Sequence, residues 1–171
     1  LRLVSWMRAK LFTSTAAREC INFMGAASTS VIRSMTVDPG ATVSTRMLYM
    51  GYGATNTLSV NGGTLSLTGF SSTYYDAFIM GAAGTSPKVV DRFYVTGGTV
   101  YGADNAWCLM GVDRGKTTLD VSGGSVSLGA VSMGHRTEAT IDTGLTAASD
   151  VFVSGGLLEA RQRWNWMGDV Q

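Results

Sequence analysis

Proline is all but missing from this chain: two occur in 171 residues, against 22 glycines. That balance excludes a collagen-like or proline-rich disordered chain and fits many tight turns joining short strands. Charge is thin as well, with 15% charged residues and a net charge of +1. Capture of nucleic acid needs clustered Lys and Arg, so no nucleic-acid partner is expected. No apolar run approaches the ~20 residues of a membrane-spanning helix. Helical periodicity is absent too, apart from a weak pattern between Ala9 and Phe23. The 45% hydrophobic content is still ample for a core.

Two cysteines, Cys20 and Cys108, stand far apart in the sequence. If each repeat described below rises by one strand spacing, they sit ~14 Å apart. Bridged Cα atoms need to lie within ~7 Å, so free thiols are expected. Two lone cysteines cannot make a zinc site unaided. No cofactor is expected.

What the chain does have is a beat. Six short hydrophobic strands end in Met-Gly, at Met24, Met50, Met80, Met110, Met133 and Met167. Between them sit apolar strands that run into a glycine turn: Val37-Asp38-Pro39-Gly40, Val60-Asn61-Gly62-Gly63, Val95-Thr96-Gly97-Gly98, Val121-Ser122-Gly123-Gly124 and Val153-Ser154-Gly155-Gly156. A fixed order of motifs at a period of about 29 residues marks a repeat architecture. The Met-Gly intervals are 26, 30, 30, 23 and 34 residues. Such variation is awkward for a barrel and natural for a solenoid, where each coil carries its own loop. Three short strands per repeat, each paired with its counterpart in the next coil, give a parallel β-helix of about six coils.

Stacking turns motif positions into columns. Val37, Val60, Val95, Val121 and Val153 form one, the six methionines a second, and Leu65, Val100, Val126 and Leu158 a third. The first copy, Ala41-Thr42-Val43, is out of phase by one residue, as an edge coil or an irregular turn would be. The Met strand breaks the alternation of apolar and polar. If Met faces inward, so do Leu48, Phe78, Cys108 and Val131, and the outward column reads Phe23, Tyr49, Ile79, Leu109, Ser132 and Trp166. Contiguous apolar patches mark contact surfaces. Either something covers this face or inside and outside are exchanged there; the covered face is the reading adopted, with Phe23, Tyr49, Ile79, Leu109 and Trp166 as a partner face.

Residues 21–171 are taken as the repeat array and residues 1–20 as an irregular or capping lead-in. The chain starts at Leu1 without Met and stops at Gln171, so both ends read as cut from a longer array.

Few residues point to chemistry. Asp91, Asp120 and Asp150 are spaced like a ladder, but they precede the aligned valines by four, one and three residues, so they do not superpose. Asp76 and Arg46 each lie four residues before a repeat methionine and read as a surface ion pair between neighbouring coils. His135, the only histidine, reads as a solvated turn residue. Two loops stand out: Tyr74-Tyr75-Asp76, and Tyr101 with Asp104, Asn105 and Trp107. Aromatic rings beside Asp and Asn suit sugars, which offer apolar faces and hydroxyls, so these seven residues are the candidate glycan contacts. They would equally serve to cover a sheet edge.

From about Ile21 to Gly168 the strings of strand, Val-x-Gly-Gly, strand, loop and Met-Gly resemble the bacterial right-handed β-helix repeat proteins of autotransporter passengers and adhesins. The resemblance implies right-handed coiling, export to the cell surface or medium, and a structural or adhesive role without catalysis. Some related β-helices are polysaccharide lyases or hydrolases, which keeps a glycan-binding or enzyme fragment as the alternative. The partners implied are host or environmental glycans, or a protein segment covering the Met-strand face.

Overall fold

The computed structural model describes residues 4–13, 20–22, 31–51, 54–68, 76–82, 90–111, 116–134, 148–162 and 166–167. All regular structure among them is β. In chain order the strands are β1 (Val4–Thr13), β2 (Cys20–Asn22), β3 (Val31–Thr45), β4 (Met47–Gly51), β5 (Ala54–Leu67), β6 (Asp76–Ala82) and β7 (Val90–Gly102). There follow β8 (Trp107–Met110), β9 (Lys116–Val121), β10 (Ser125–Leu128), β11 (Ala130–Met133), β12 (Ala148–Val153), β13 (Leu157–Ala160) and β14 (Trp166–Met167). The weak helical pattern after Ala9 is not realised where the chain is described: Val4–Thr13 and Cys20–Asn22 are strands.

Two sheets account for all of them. One has eight strands, with the path β1-β3-β5-β7-β10-β13 and β9 and β12 flanking it; the other has six, in the order β14-β11-β8-β6-β4-β2. Every pairing is parallel. No helix of the described residues is long and apolar enough to cross a membrane.

The register aligns the valine column and the leucine–valine column and part of the methionine column, which slips by one residue between Tyr49 opposite Ile79 and Gly51 opposite Ala82. Val37, Val60, Val95, Val121 and Val153 are successive partners, as are Leu65, Val100, Val126 and Leu158. The phase break in the first copy is absorbed at the bend. β3 carries four residues, Asp38 to Ala41, between the paired Val37 and Thr42, and beyond them Val43 meets Leu65 in phase. In the second sheet Leu48, Phe78, Cys108 and Val131 are partners, and so are Met110, Met133 and Met167.

The expected count of three strands per repeat needs correction in the middle of the chain. β3, β5 and β7 are 15, 14 and 13 residues long and run through the glycine bend as single strands. The ladder continues across the turn, with Asn61 opposite Gly97. Only in the last two rungs does the bend divide the strand, into β9 with β10 and β12 with β13. Glycine is required at this bend. Gly98 has φ +79°, and a Cβ there would stand 2.2 Å from the Gly63 carbonyl oxygen of the rung before.

Both sheets feed one core. Val37, Val60, Val95, Val121, Leu65, Val100 and Val126 join Leu48, Phe78, Cys108, Met50, Met80 and Met110 in a single buried cluster. Phe78 of β6 meets Phe93 of β7 edge to face, with centroids 5.0 Å apart and planes at 80°. Each buried Val, Leu, Met or Phe contributes roughly 1.5–3 kcal/mol.

Candidate functional site

Among the described residues, polar side chains that could do chemistry gather on an outer corner and inside the core.

The outer corner forms where β7 ends. The chain turns through Ala103 to Ala106, closed by the Ala106 amide on the Ala103 carbonyl at 2.8 Å, and enters β8. The turn stacks on the corners of neighbouring rungs, with the Ala103 amide on the Leu67 carbonyl and the Gly129 amide on the Ala106 carbonyl. Two rungs on, β13 ends at Ala160 and delivers Arg161 and Gln162 to the same corner.

Arg161 binds three rungs together. Its Nε donates to Asp104 Oδ1 at 3.1 Å, Nη1 donates to the Ser127 hydroxyl, and Nη2 donates to the Gly102 carbonyl. Its guanidinium also lies over the Tyr101 ring, 4.9 Å from the centroid. The Ser127 hydroxyl in turn donates to Glu159, Oγ to Oε2 at 2.6 Å. Tyr101, Ser127 and Glu159 are register partners in one outer column, which is why their side chains meet. Trp107 Nε1 donates to Gln162 Oε1 at 3.1 Å, and Gln162 Nε2 donates to the Asp104 carbonyl.

Four of the seven candidate glycan residues therefore share this corner: Tyr101, Asp104, Asn105 and Trp107. Asp76 opens β6 and is the register partner of Trp107, which brings its backbone alongside. Tyr74, Tyr75 and the side chain of Asp76 lie outside the described residues, as does any contact of Asp76 with Arg46; His135 lies outside them too. The corner is chemically busy but internally committed. One face of the Tyr101 ring carries Arg161, and the Trp107 indole N–H is taken by Gln162. What remains open is half of Tyr101, which is 50% exposed, and the Asp104 side chain, 79% exposed. Arg161, Gln162, Glu159 and Ser127 carried no signal in the sequence, because their partners lie on other repeats.

The inner cluster was also missed. Asn56, Asp91 and Thr117 are register partners on the core face, and all three are fully buried. Asp91 Oδ1 accepts Asn56 Nδ2 at 2.6 Å, and Oδ2 accepts the Gly81 amide at 2.7 Å. Gly81 has φ +81°, and a Cβ on it would meet Thr117 Cγ2 at 2.9 Å, so the Met-Gly corner packs directly on this ladder. Burial pushes the Asp91 carboxyl up to about 6, against the pull of those two hydrogen bonds. Thr117 continues the ladder to Ser149, Oγ1 to Oγ at 3.0 Å. Asn56 Oδ1 finds no partner. The two acids that shared Asp91's spacing are elsewhere: Asp120 pairs with Tyr94, and Asp150 with Thr118.

The outward side of the Met strand is covered at its centre. Ile79 is 3% exposed and Leu109 is 8%, with Met47, Tyr49 and Trp107 packed around them. Ser132, between Leu109 and Trp166 in register, is buried with its hydroxyl unpartnered. Phe23 and the side chain of Trp166 lie outside the described residues. Cys108 is a free thiol in the core, where burial pushes its pKa up to about 12. Among the described residues no three His, Cys, Asp or Glu side chains gather as metal ligands.

Comparison of the chain with family models, with curated proteins and with solved structures finds no match.

Proposed function

We propose that this chain is a stretch of right-handed parallel β-helix that serves a bacterial exported or cell-surface protein as a rigid structural or adhesive rod, with no catalysis of its own. One observation carries the coil. The two sheets run through their strands in the same sequence, β3, β5, β7, β10, β13 against β4, β6, β8, β11, β14. Alternation between two parallel sheets, with an advance of one rung each time, supports a chain wound around the core they share. Right-handed parallel crossovers are the rule, which supports the hand. Export and the bacterial source rest on the resemblance of the Val-x-Gly-Gly and Met-Gly strings to passenger and adhesin repeats.

The structural role draws on how the polar groups are used. The Arg161 corner and the Asn56–Asp91–Thr117 ladder both direct their hydrogen bonds across rungs, which ties the stack together. Surface labelling and protease shaving of intact cells that express the protein test the location. Epitopes of this chain should be reached without lysis, and an epitope reached only after lysis sinks the proposal.

A carbohydrate-directed role is the second reading, as a glycan-binding module or a fragment of a polysaccharide lyase or hydrolase. It is favoured by the half-exposed Tyr101 beside Asp104, with Glu159 drawn to the same guanidinium through Ser127. Binding on a glycan array that is lost in Tyr101→Ala supports it. An array without signal, together with no new reducing ends from polysaccharides, removes it.

A further inference from the structure

The glycine bend carries a polar row of its own. Val37, Val60, Val95, Val121 and Val153 are register partners, so the residues that follow them fall at the bends of successive rungs: Asp38, Asn61, Thr96, Ser122 and Ser154. Asn61 and Thr96 are both exposed there, and the Thr96 hydroxyl donates to Asn61 Oδ1 at 3.0 Å. That bond draws electrons from the Asn61 carboxamide carbon and opens it to a nucleophile.

A nucleophile stands next to it in the chain. Of the five asparagines only Asn61 is followed by glycine. Gly62 is exposed, stands at φ +94° and has no Cβ to screen its nitrogen. Asn56, by contrast, is sealed in the core with its amide donating to Asp91 and Gly51, and Asn105 is followed by alanine.

We propose that Asn61-Gly62 is a site of spontaneous covalent change, at which Asn61 converts to aspartate and isoaspartate with the Thr96 hydroxyl as activating donor. The Gly62 amide nitrogen gives its proton to hydroxide and attacks Asn61 Cγ. The new C–N bond closes a succinimide ring. The Cγ–Nδ2 bond breaks, and the departing nitrogen takes a proton from water and leaves as ammonia. A second water then opens the ring, and the Gly62 nitrogen recovers its proton. Cleavage at Cγ gives aspartate, and cleavage at the backbone carbonyl gives isoaspartate. Nothing is oxidised or reduced.

Either product sets a carboxylate one strand spacing, ~4.8 Å, from the rung of Asp38, where like charges repel. Isoaspartate also lengthens the main chain by one carbon. The bend has no room for it: a Cβ on Gly63 would already stand 2.5 Å from the Asp38 carbonyl oxygen. The stack therefore weakens between β3 and β5 as the protein ages. Neither the coil nor export enters this chemistry.

The test is incubation of the folded full chain in mildly alkaline buffer, followed by tryptic peptide mass spectrometry. Asn56 and Asn61 share the peptide from Met47 to Lys88, so Asn56 is an internal control. Fragment ions should place the amide-to-acid mass gain at Asn61, in two chromatographic forms, with Asn56 unchanged. An isoaspartyl methyltransferase should label the aged protein and not the fresh one. Thr96→Val should slow the conversion several-fold and Thr96→Ser should keep it, each with its strand circular dichroism retained. Conversion confined to the urea-unfolded chain overturns the proposal, and so does an undiminished rate in Thr96→Val.

Discussion

Asn56 donates its amide to the Asp91 carboxylate at 2.6 Å across neighbouring rungs, with both side chains sealed in the core. The pair sits where the chain enters the first sheet, and the Gly81 amide reaches in from the Met-Gly corner of the second. A carboxylate this deep makes stability depend on pH.

The folded protein holds the Asp91 proton up to about pH 6, whereas the unfolded chain releases it near 3.8. Between those values the native state binds more protons, so this group's stabilisation is complete below the lower value and is lost as pH rises through the upper one. The wild type should therefore gain about 1–1.5 kcal/mol at pH 5 over pH 7.5, relative to Asp91→Asn under the same conditions. Urea unfolding of both proteins at the two pH values checks this, and parallel pH responses in the two proteins would refute it.

Arg161 should matter far more than its visible ion pair. Arg161→Ala removes the Ser127 and Gly102 bonds and the Tyr101 contact along with Asp104, and should lower stability by about 1–3 kcal/mol. Asp104→Ala alone should change it by less than about 0.5 kcal/mol, because that side chain is 79% exposed. Thermal unfolding of the two single variants and the double variant separates the contributions.

At the glycine bend, position decides tolerance. Gly98→Ala forces a Cβ to 2.2 Å from the Gly63 oxygen at φ +79° and should destabilise by about 2–4 kcal/mol. Gly97→Ala meets nothing closer than the Gly62 nitrogen at 3.5 Å and should cost under about 1 kcal/mol. Chemical denaturation of both should give that order, and equal effects would contradict the stacking of bend on bend.

Cys108 should resist alkylation. Its thiol is buried and pushed up to about 12, so little thiolate is present at neutral pH and reagent cannot reach it. Peptide mass spectrometry after timed iodoacetamide treatment should find Cys108 labelled only in denaturant.

Much of the core was legible in the sequence because its signal is local. Each Val of a Val-x-x-Gly string announces both the end of an apolar run and the turn after it, and the register honours that from Val37 to Val153. The same phase, carried back two residues at a time, passes through Leu58, Phe93 and Leu119 to Asn56, Asp91 and Thr117, so the inner polar ladder was readable as well. It stayed hidden because the offsets of four, one and three residues from the aligned valines separate Asp91, Asp120 and Asp150 from one another. The core-facing partners of Asp91 are instead an Asn and a Thr on other repeats, which carry no charge to mark them. Arg161 could not be found this way. Its polar partners lie between 34 and 59 residues back in the chain, and only the stacked rungs bring them within reach.

The Arg161 staple also sets how the stacked rungs come apart under load. Each rung is held by its nearest neighbours, so tension along the stack acts on the interfaces in series and the weakest yields first. Among the described strands β12 and β13 each pair on one side only, so a single interface holds that rung to the others. Arg161 grips Ser127 and Gly102 as well as its own strand, so the first rung to leave must drag a staple through two others. That interface therefore gives way as a step of three rungs and not of one.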